Sequence, residues 1–155
     1  MIDIRALCIA DLDAVAGLCA ALWPDSPAAE HRQELAAKLV SGVSGPYPCA
    51  VFVAHAGEAV VGFVEAGMRS HADGCDDRKP VGYLEGWYVV ESWRKGGIGR
   101  ALVAAAEGWA RERGCDEMAS DTWIDNESSQ DAHAALGYEV VDRCITYRKT
   151  LVKDQ

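Results

Sequence analysis

Residues 82–113, GYLEGWYVVESWRKGGIGRALVAAAEGWARER, read as an apolar strand, a basic glycine-rich turn and a helix. Residues 81–90 are rich in aromatic and β-branched side chains, which suit a pleated, mostly buried surface, so a central strand is expected there. Arg94, Lys95, Gly96, Gly97, Ile98, Gly99 and Arg100 follow, and Ile98, Leu102, Ala105 and Trp109 then recur at helical spacing. Glycines let backbone N–H groups approach an anion without side chains in the way, and the new helix brings its positive dipole end to the same place. A pyrophosphate fits such a turn; the plainer alternative is a strand-to-helix connection with solvated cations. A Walker loop is absent, and Gly97-Ile98-Gly99 is followed by Arg100-Ala101-Leu102, without the third glycine of a dinucleotide fingerprint.

Working outward, 155 residues suffice for one domain that buries about 70% of its unfolded surface, and one domain over 1–155 is the expectation. The six cysteines, Cys8, Cys19, Cys49, Cys75, Cys115 and Cys144, are scattered with no Cys-x-x-Cys pair and read as small hydrophobes of a reducing cytoplasm. No apolar run approaches the ~20 residues of a membrane span. A net charge of −9 argues against a nucleic-acid partner, which needs a basic face, and favours cationic partners, although solubility alone also accounts for an acidic balance.

Residues 2–7 alternate and open a sheet; Asp11 can cap a helix through Val15, Leu18, Cys19 and Leu22, ended by Pro24. Ser26-Pro27 starts a second helix with Leu35, Leu39 and Val43 on one face and Glu34 four residues before Lys38. Residues 49–55 and 59–68 are two strands joined by a hairpin turn at Ala56-Gly57-Glu58. Residues 71–80 form a polar loop whose His71, Asp73, Cys75, Asp76 and Asp77 match no zinc or calcium spacing, so no metal is expected. Beyond the central strand and its helix, Gly114 is a cap, residues 115–120 a strand, and Asn126 the start of a short helix turning Ala132 and Leu136 inward and stopping at Gly137. Residues 138–142 and 144–151 complete the reading as a last pair of strands, which makes the fold class α+β.

Arg94-x-x-Gly97-x-Gly99 after Val89-Val90 resembles the acetyl-coenzyme A signature of the GCN5-related N-acetyltransferases (GNAT). Asn126-x-x-Ser129-x-x-x-His133-x-x-x-Gly137-Tyr138 resembles their second motif. A closer likeness, to the aminoglycoside 6′-N-acetyltransferases, rests on Leu22-Trp23 with Asp25, Val64-Glu65-Ala66, Tyr83-Leu84-Glu85-Gly86 before Tyr88-Val89, and Ala119-Ser120-Asp121 before Asp125-Asn126. It implies a single GNAT-like domain with a mixed, mostly antiparallel central sheet flanked by helices. It also implies acetyl-CoA as co-substrate, a polycationic aminoglycoside as acceptor, and a homodimer. Acetylation of a polyamine or protein amine, and a non-catalytic acyl-CoA-binding module, are the alternatives.

An amine attacks a thioester only when neutral, so a base must take its proton and the leaving thiolate must receive one. Carried over from the family, Glu85 is the base and Asp121 a second carboxylate for substrate ammonium groups; the plainer reading of each is a strand-end carboxylate in water. Glu85 lies in an otherwise apolar strand, where an unpaired charge is costly. Glu65, Asp25 and Trp23 would complete the sugar pocket, Trp23 being alternatively a core residue. His133 stands where the family motif has a general-acid tyrosine, and is either that acid or a helix histidine satisfied by a neighbour. Tyr147 is an alternative acid or a core tyrosine, and water or the product ammonium could serve instead. The resemblance gives the amides of Val89 and Val90 to the thioester and pantetheine, those of Lys95, Gly96, Gly97, Ile98, Gly99 and Arg100, after Arg94, to the pyrophosphate, and Asn126 and Ser129 to the pantetheine arm. Glu91 replaces a frequent proline and is expected in solvent.

Overall fold

Alternation of Ile2 and Ile4 with polar neighbours makes β1 (Ile2–Ala6), and a 3-10 turn at Ile9–Asp11 leads into α1 (Leu12–Leu22). The computed structural model describes residues 1–153; the last two residues of the domain expected over 1–155 lie outside the described residues. α1 buries Leu12, Val15, Ala16 and Cys19. α2 (Ala28–Ser41) ends where Gly42 turns left-handed at φ +69°, a conformation that suits glycine after a helix. Leu35 is buried, but Leu39 is exposed and Val43 falls outside the helix, so the apolar face expected from Leu35, Leu39 and Val43 shrinks to its first member. Val43 instead opens an unforeseen small hairpin, β2 (Val43–Ser44) with β3 (Tyr47–Pro48).

β4 (Ala50–Ala56) and β5 (Ala59–Arg69) form the expected hairpin, and β6 (Val81–Val89) pairs antiparallel with β5. α3 (Ile98–Glu112) is a crossover, so β7 (Met118–Ser120) joins β6 parallel. The sheet order is β1-β4-β5-β6-β7, mixed and mostly antiparallel, and the class is α+β as expected. Residues 61–67 of β5 are continuously buried, the mark of a strand covered on both faces. On one face Phe63 joins Val15, Cys19 and Leu35 from α1 and α2. On the other, Leu102 of α3 reaches the backbone at Gly62, where an added Cβ would sit 3.2 Å from its Cδ1. The six cysteines are free; only Cys19 and Cys115 are buried, and Cys144 is exposed, which corrects the reading of all six as core hydrophobes.

The chain divides into two compact units, Met1–Asp121, which holds the sheet, and Thr122–Gln155. In the second, the Asn126 side chain accepts the Ser129 N–H at 3.0 Å and so caps α4 (Glu127–Ala135), which ends before Gly137 at φ +89°. Ala132 and Leu136 are half-buried there. The strands expected over 138–142 and 144–151 do not form, and Val140, Val141, Ile145 and Leu151 are exposed. β-branched residues favour a pleated surface, but a strand exists only with a ladder partner, and among the described residues none pairs with this segment. Tyr147 is 90% exposed, which overturns its reading as a core tyrosine.

Candidate active site

Glu65 of β5 is paired with Gly86 while Ala66 is paired with Leu84, so Glu85 is an extra residue on β6, a β-bulge. Bulges re-aim a side chain out of the regular alternation. Glu85 passes over Gly67, where an added Cβ would lie 3.4 Å from its Oε1. Its two oxygens accept from Arg69 Nε at 3.3 Å and Nη2 at 2.9 Å. The Arg69 guanidinium also lies 3.5 Å from the centre of the Tyr83 ring, and the Tyr83 hydroxyl donates to Asp121 Oδ2 at 2.8 Å. Burial and the Asp121 carboxylate push the Tyr83 phenol well above its ordinary value, so it stays a proton donor. Burial works against the Arg69 charge, but the Glu85 hydrogen bonds and charge outweigh it and raise Arg69. The two carboxylates expected to meet the acceptor, Glu85 and Asp121, are thus linked through Arg69 and Tyr83.

Glu85, Arg69, Glu65, Lys38, Glu34, His31, Ser26, Ser44 and Trp23 line an open cavity of about 540 Å³. The Trp23 indole packs against Gly86: a Cβ there would sit 2.6 Å from Cζ2, so only glycine admits the ring beside Glu85. Trp23 also meets Phe63 edge-on at 6.2 Å, and its carbonyl oxygen lies 3.2 Å from His31 Nε2. It is therefore both a core contact and a cavity wall. Glu65 is buried and ion-paired with Lys38. Burial opposes the Lys38 charge, but Glu65 more than compensates and holds its pKa above the ordinary value. Asp25 is exposed and does not line the cavity.

At the other end of β6, the Val90 N–H donates to Val61 O at 2.8 Å, so this amide is already used and is not available to a thioester. Strand alternation turns the Val89 amide to the opposite edge, where β7 pairs only with residues 82–84. Arg94 Nε donates to the Val89 carbonyl at 2.7 Å, folding the turn back onto the strand end. Glu91 is exposed, as expected. Lys95 and Gly97 are left-handed, at φ 68° and 88°, and no side chain caps α3. Gly99 packs against Trp87, whose Cζ2 would lie 3.0 Å from an added Cβ, so a larger residue needs the indole to give by a few tenths of an ångström. In the second unit, His133 Nδ1 lies 2.7 Å from the Ser129 carbonyl, to which its N–H donates, and the ring meets Tyr138 edge-on at 5.7 Å. That is the arrangement of a helix histidine bonded within its own helix. Among the described residues, no group of three or more His, Cys, Asp or Glu is placed to hold a metal.

Arg69, Tyr83, Lys38, His31 and Glu34 were not singled out by sequence for this site. For Lys38 the only signal was its spacing from Glu34, which pointed to a pair along the helix, whereas the side chain turns inward to Glu65. The family model described as Acetyltransferase (GNAT) family matches residues 15–138. An aminoglycoside N(6')-acetyltransferase type 1 of Klebsiella aerogenes is 47% identical over 130 residues, 84% of each chain. One of Stenotrophomonas maltophilia is 39% identical over 149 residues, 96% of this chain and 93% of that one. The solved structure of AAC(6')-Iy with the bisubstrate analog CoA-S-monomethyl-acetylneamine superimposes with a TM-score of 0.86 at 38% identity, covering 97% of this chain and 99% of that one.

Proposed function

The chain belongs to the acetyltransferase (GNAT) family, and on that premise we propose that it transfers acetyl from acetyl-CoA to the 6′-amine of aminoglycosides. The observation that carries this reading is Glu85, bulged from β6 into a cavity where Glu34, Glu65 and Glu85 outnumber Lys38 and Arg69, a net negative setting that favours a polycation. When bound, the co-substrate supplies an activated acetyl thioester. The turn of residues 94–100 fits its pyrophosphate: left-handed Lys95 and Gly97 bend the backbone around the start of α3, and among the described residues no side chain makes a capping hydrogen bond there. The Val89 amide, at the open edge of β6, would hold the thioester. Asn126 and Ser129 keep the pantetheine arm as part of the same proposal.

Glu85 receives the acceptor's ammonium group and takes a proton from it, directly or through water, which frees the nitrogen lone pair to attack. Asp121, held by Tyr83, anchors a further ammonium group. Bond formation from nitrogen to the acetyl carbon displaces sulfur, which needs a proton from His133, Tyr147 or water. His133 gives its Nδ1 proton to the Ser129 carbonyl, so a proton it passed to sulfur would leave from Nε2.

We treat 1–155 as one N-acetyltransferase domain, since the family match runs across the boundary of the two units. The exposed apolar residues Val140, Val141, Ile145 and Leu151 support a homodimer, in which a second copy supplies the ladder partner they lack among the described residues; light scattering giving a monomer mass would overturn it. Use of acetyl-CoA supports a cytoplasmic location; among the described residues no helix is long and apolar enough to cross a membrane. Release of free thiol from acetyl-CoA with kanamycin or tobramycin tests the activity. No release across an aminoglycoside panel, with release on polyamines or protein amines, would move the acceptor to those amines.

A further inference from the structure

Three of the four carboxylates expected to meet the acceptor already have partners; the fourth, Asp25, is exposed and outside the cavity. Glu65 is paired with Lys38, Asp121 accepts from Tyr83, and both oxygens of Glu85 accept from Arg69. A base forked by a guanidinium shares its negative charge with it, so an ammonium group competes with Arg69 for Glu85, and Arg69, already protonated, cannot itself take a proton. The acceptor must therefore enter by exchange, and the three contacts differ in how readily they exchange. The Lys38 and Glu65 side chains are 25% and 10% exposed, whereas those of Arg69 and Glu85 are 46% and 32% exposed. Water competes at the second pair, so opening it is inexpensive. Arg69 also has somewhere to remain: its guanidinium rests on the face of Tyr83, a contact that survives the loss of Glu85.

We propose that Arg69 is a specificity-determining gate, an internal cation that occupies Glu85 until the primary ammonium group of a cationic acceptor displaces it. This rests on the reading of Glu85 as the acceptor's base. The exchange is isoelectric, one cation for another, so an ammonium acceptor leaves no charge stranded. An uncharged acceptor would displace Arg69 with nothing to neutralise Glu85, and is rejected. Arg69 thus selects for an acceptor that brings a cation of its own.

The sign of one substitution tests the gate. Arg69→Gln removes the competing cation, so calorimetric binding of kanamycin should tighten about two- to five-fold, the fold-change worth of an exposed ion pair. Arg69→Lys, which restores the charge without the two-pronged geometry, should fall between the two. The gain should vanish when Glu85→Gln is already present, because there is no longer an ion pair to break. Arg78→Gln, which removes an equal charge paired elsewhere with Asp76, should not reproduce it. Weaker binding by Arg69→Gln, with a native thermal melt, would overturn the gate and make Arg69 a support for Glu85. A gain that persists in the Glu85→Gln background, or that Arg78→Gln matches, would overturn it in favour of net charge. A wild-type protein that neither binds kanamycin nor releases thiol with it would remove the functional reading and the gate together; normal wild-type activity with no gain in Arg69→Gln removes the gate alone.

Discussion

Two ion pairs face the same cavity and differ chiefly in their access to water. Lys38–Glu65 joins α2 to the middle of β5 and is largely sequestered, whereas Arg69–Glu85 sits where β5 ends and β6 bulges, at about a third to a half exposure. Taking charges out of water costs several kcal/mol per ion and is offset only while both partners are present. The buried pair therefore fixes α2 over the cavity, and the open pair is free to exchange partners. A carboxylate in a cleft is therefore assigned by what its counter-ion can do, as much as by its own position.

The largest effect should come from breaking the buried pair. Lys38→Met leaves Glu65 charged and alone, and is expected to cost about 3–5 kcal/mol, read as a lower urea midpoint at unchanged slope. Lys38→Met combined with Glu65→Leu removes both charges and should regain most of that stability. If Lys38→Met instead weakens only acceptor binding and leaves the midpoint alone, the two pairs are of one kind and the distinction fails.

The Trp23 ring, which Gly86 admits beside Glu85, lines the same cavity. Gly86→Ala drives a methyl into the indole and should cost about 1–3 kcal/mol by overpacking, with a fall in acceptor affinity as the cavity wall moves. Glu85→Gln carries the opposite signature. It should leave coenzyme A affinity and the melt nearly unchanged while turnover drops about ten-fold or more, the loss of a general base. Equal turnover would take Glu85 out of the mechanism.

Much of the frame was legible because it is local. The strand, turn and helix of residues 82–113 follow from periodicity and glycines, and β4 and β5 from alternation around Gly57. What escaped is non-local. Arg69 reaches Glu85 only because two strands pair in one register, and the bulge that makes Glu85 an extra residue arises between strands, in neither one alone. Lys38 looked like the partner of Glu34 because helical spacing can be read along the chain, while burial against Glu65 cannot. Residues 138–152 have the composition of strands but no partner among the described residues, and ladder formation is a property of two segments.

The smallest effect belongs to the link behind the open pair. Tyr83→Phe keeps the ring face under Arg69 and deletes only the hydroxyl that donates to Asp121. At neutral pH it should cost about 0.5–1.5 kcal/mol, the net worth of one hydrogen bond. Its pH dependence fixes the cause. Folding raises the Tyr83 phenol above its ordinary value of 10.0, through burial first and Asp121 second. A raised folded value gives stability that is fully present below the unfolded value, and that is lost as pH rises from there through the folded value. Wild type should therefore lose stability above about pH 10 by a component that Tyr83→Phe lacks, and the gap between their urea midpoints should narrow from pH 7 to pH 11. A gap that stays constant over that range would mean that Tyr83 titrates alike folded and unfolded, and that Asp121 does not hold it.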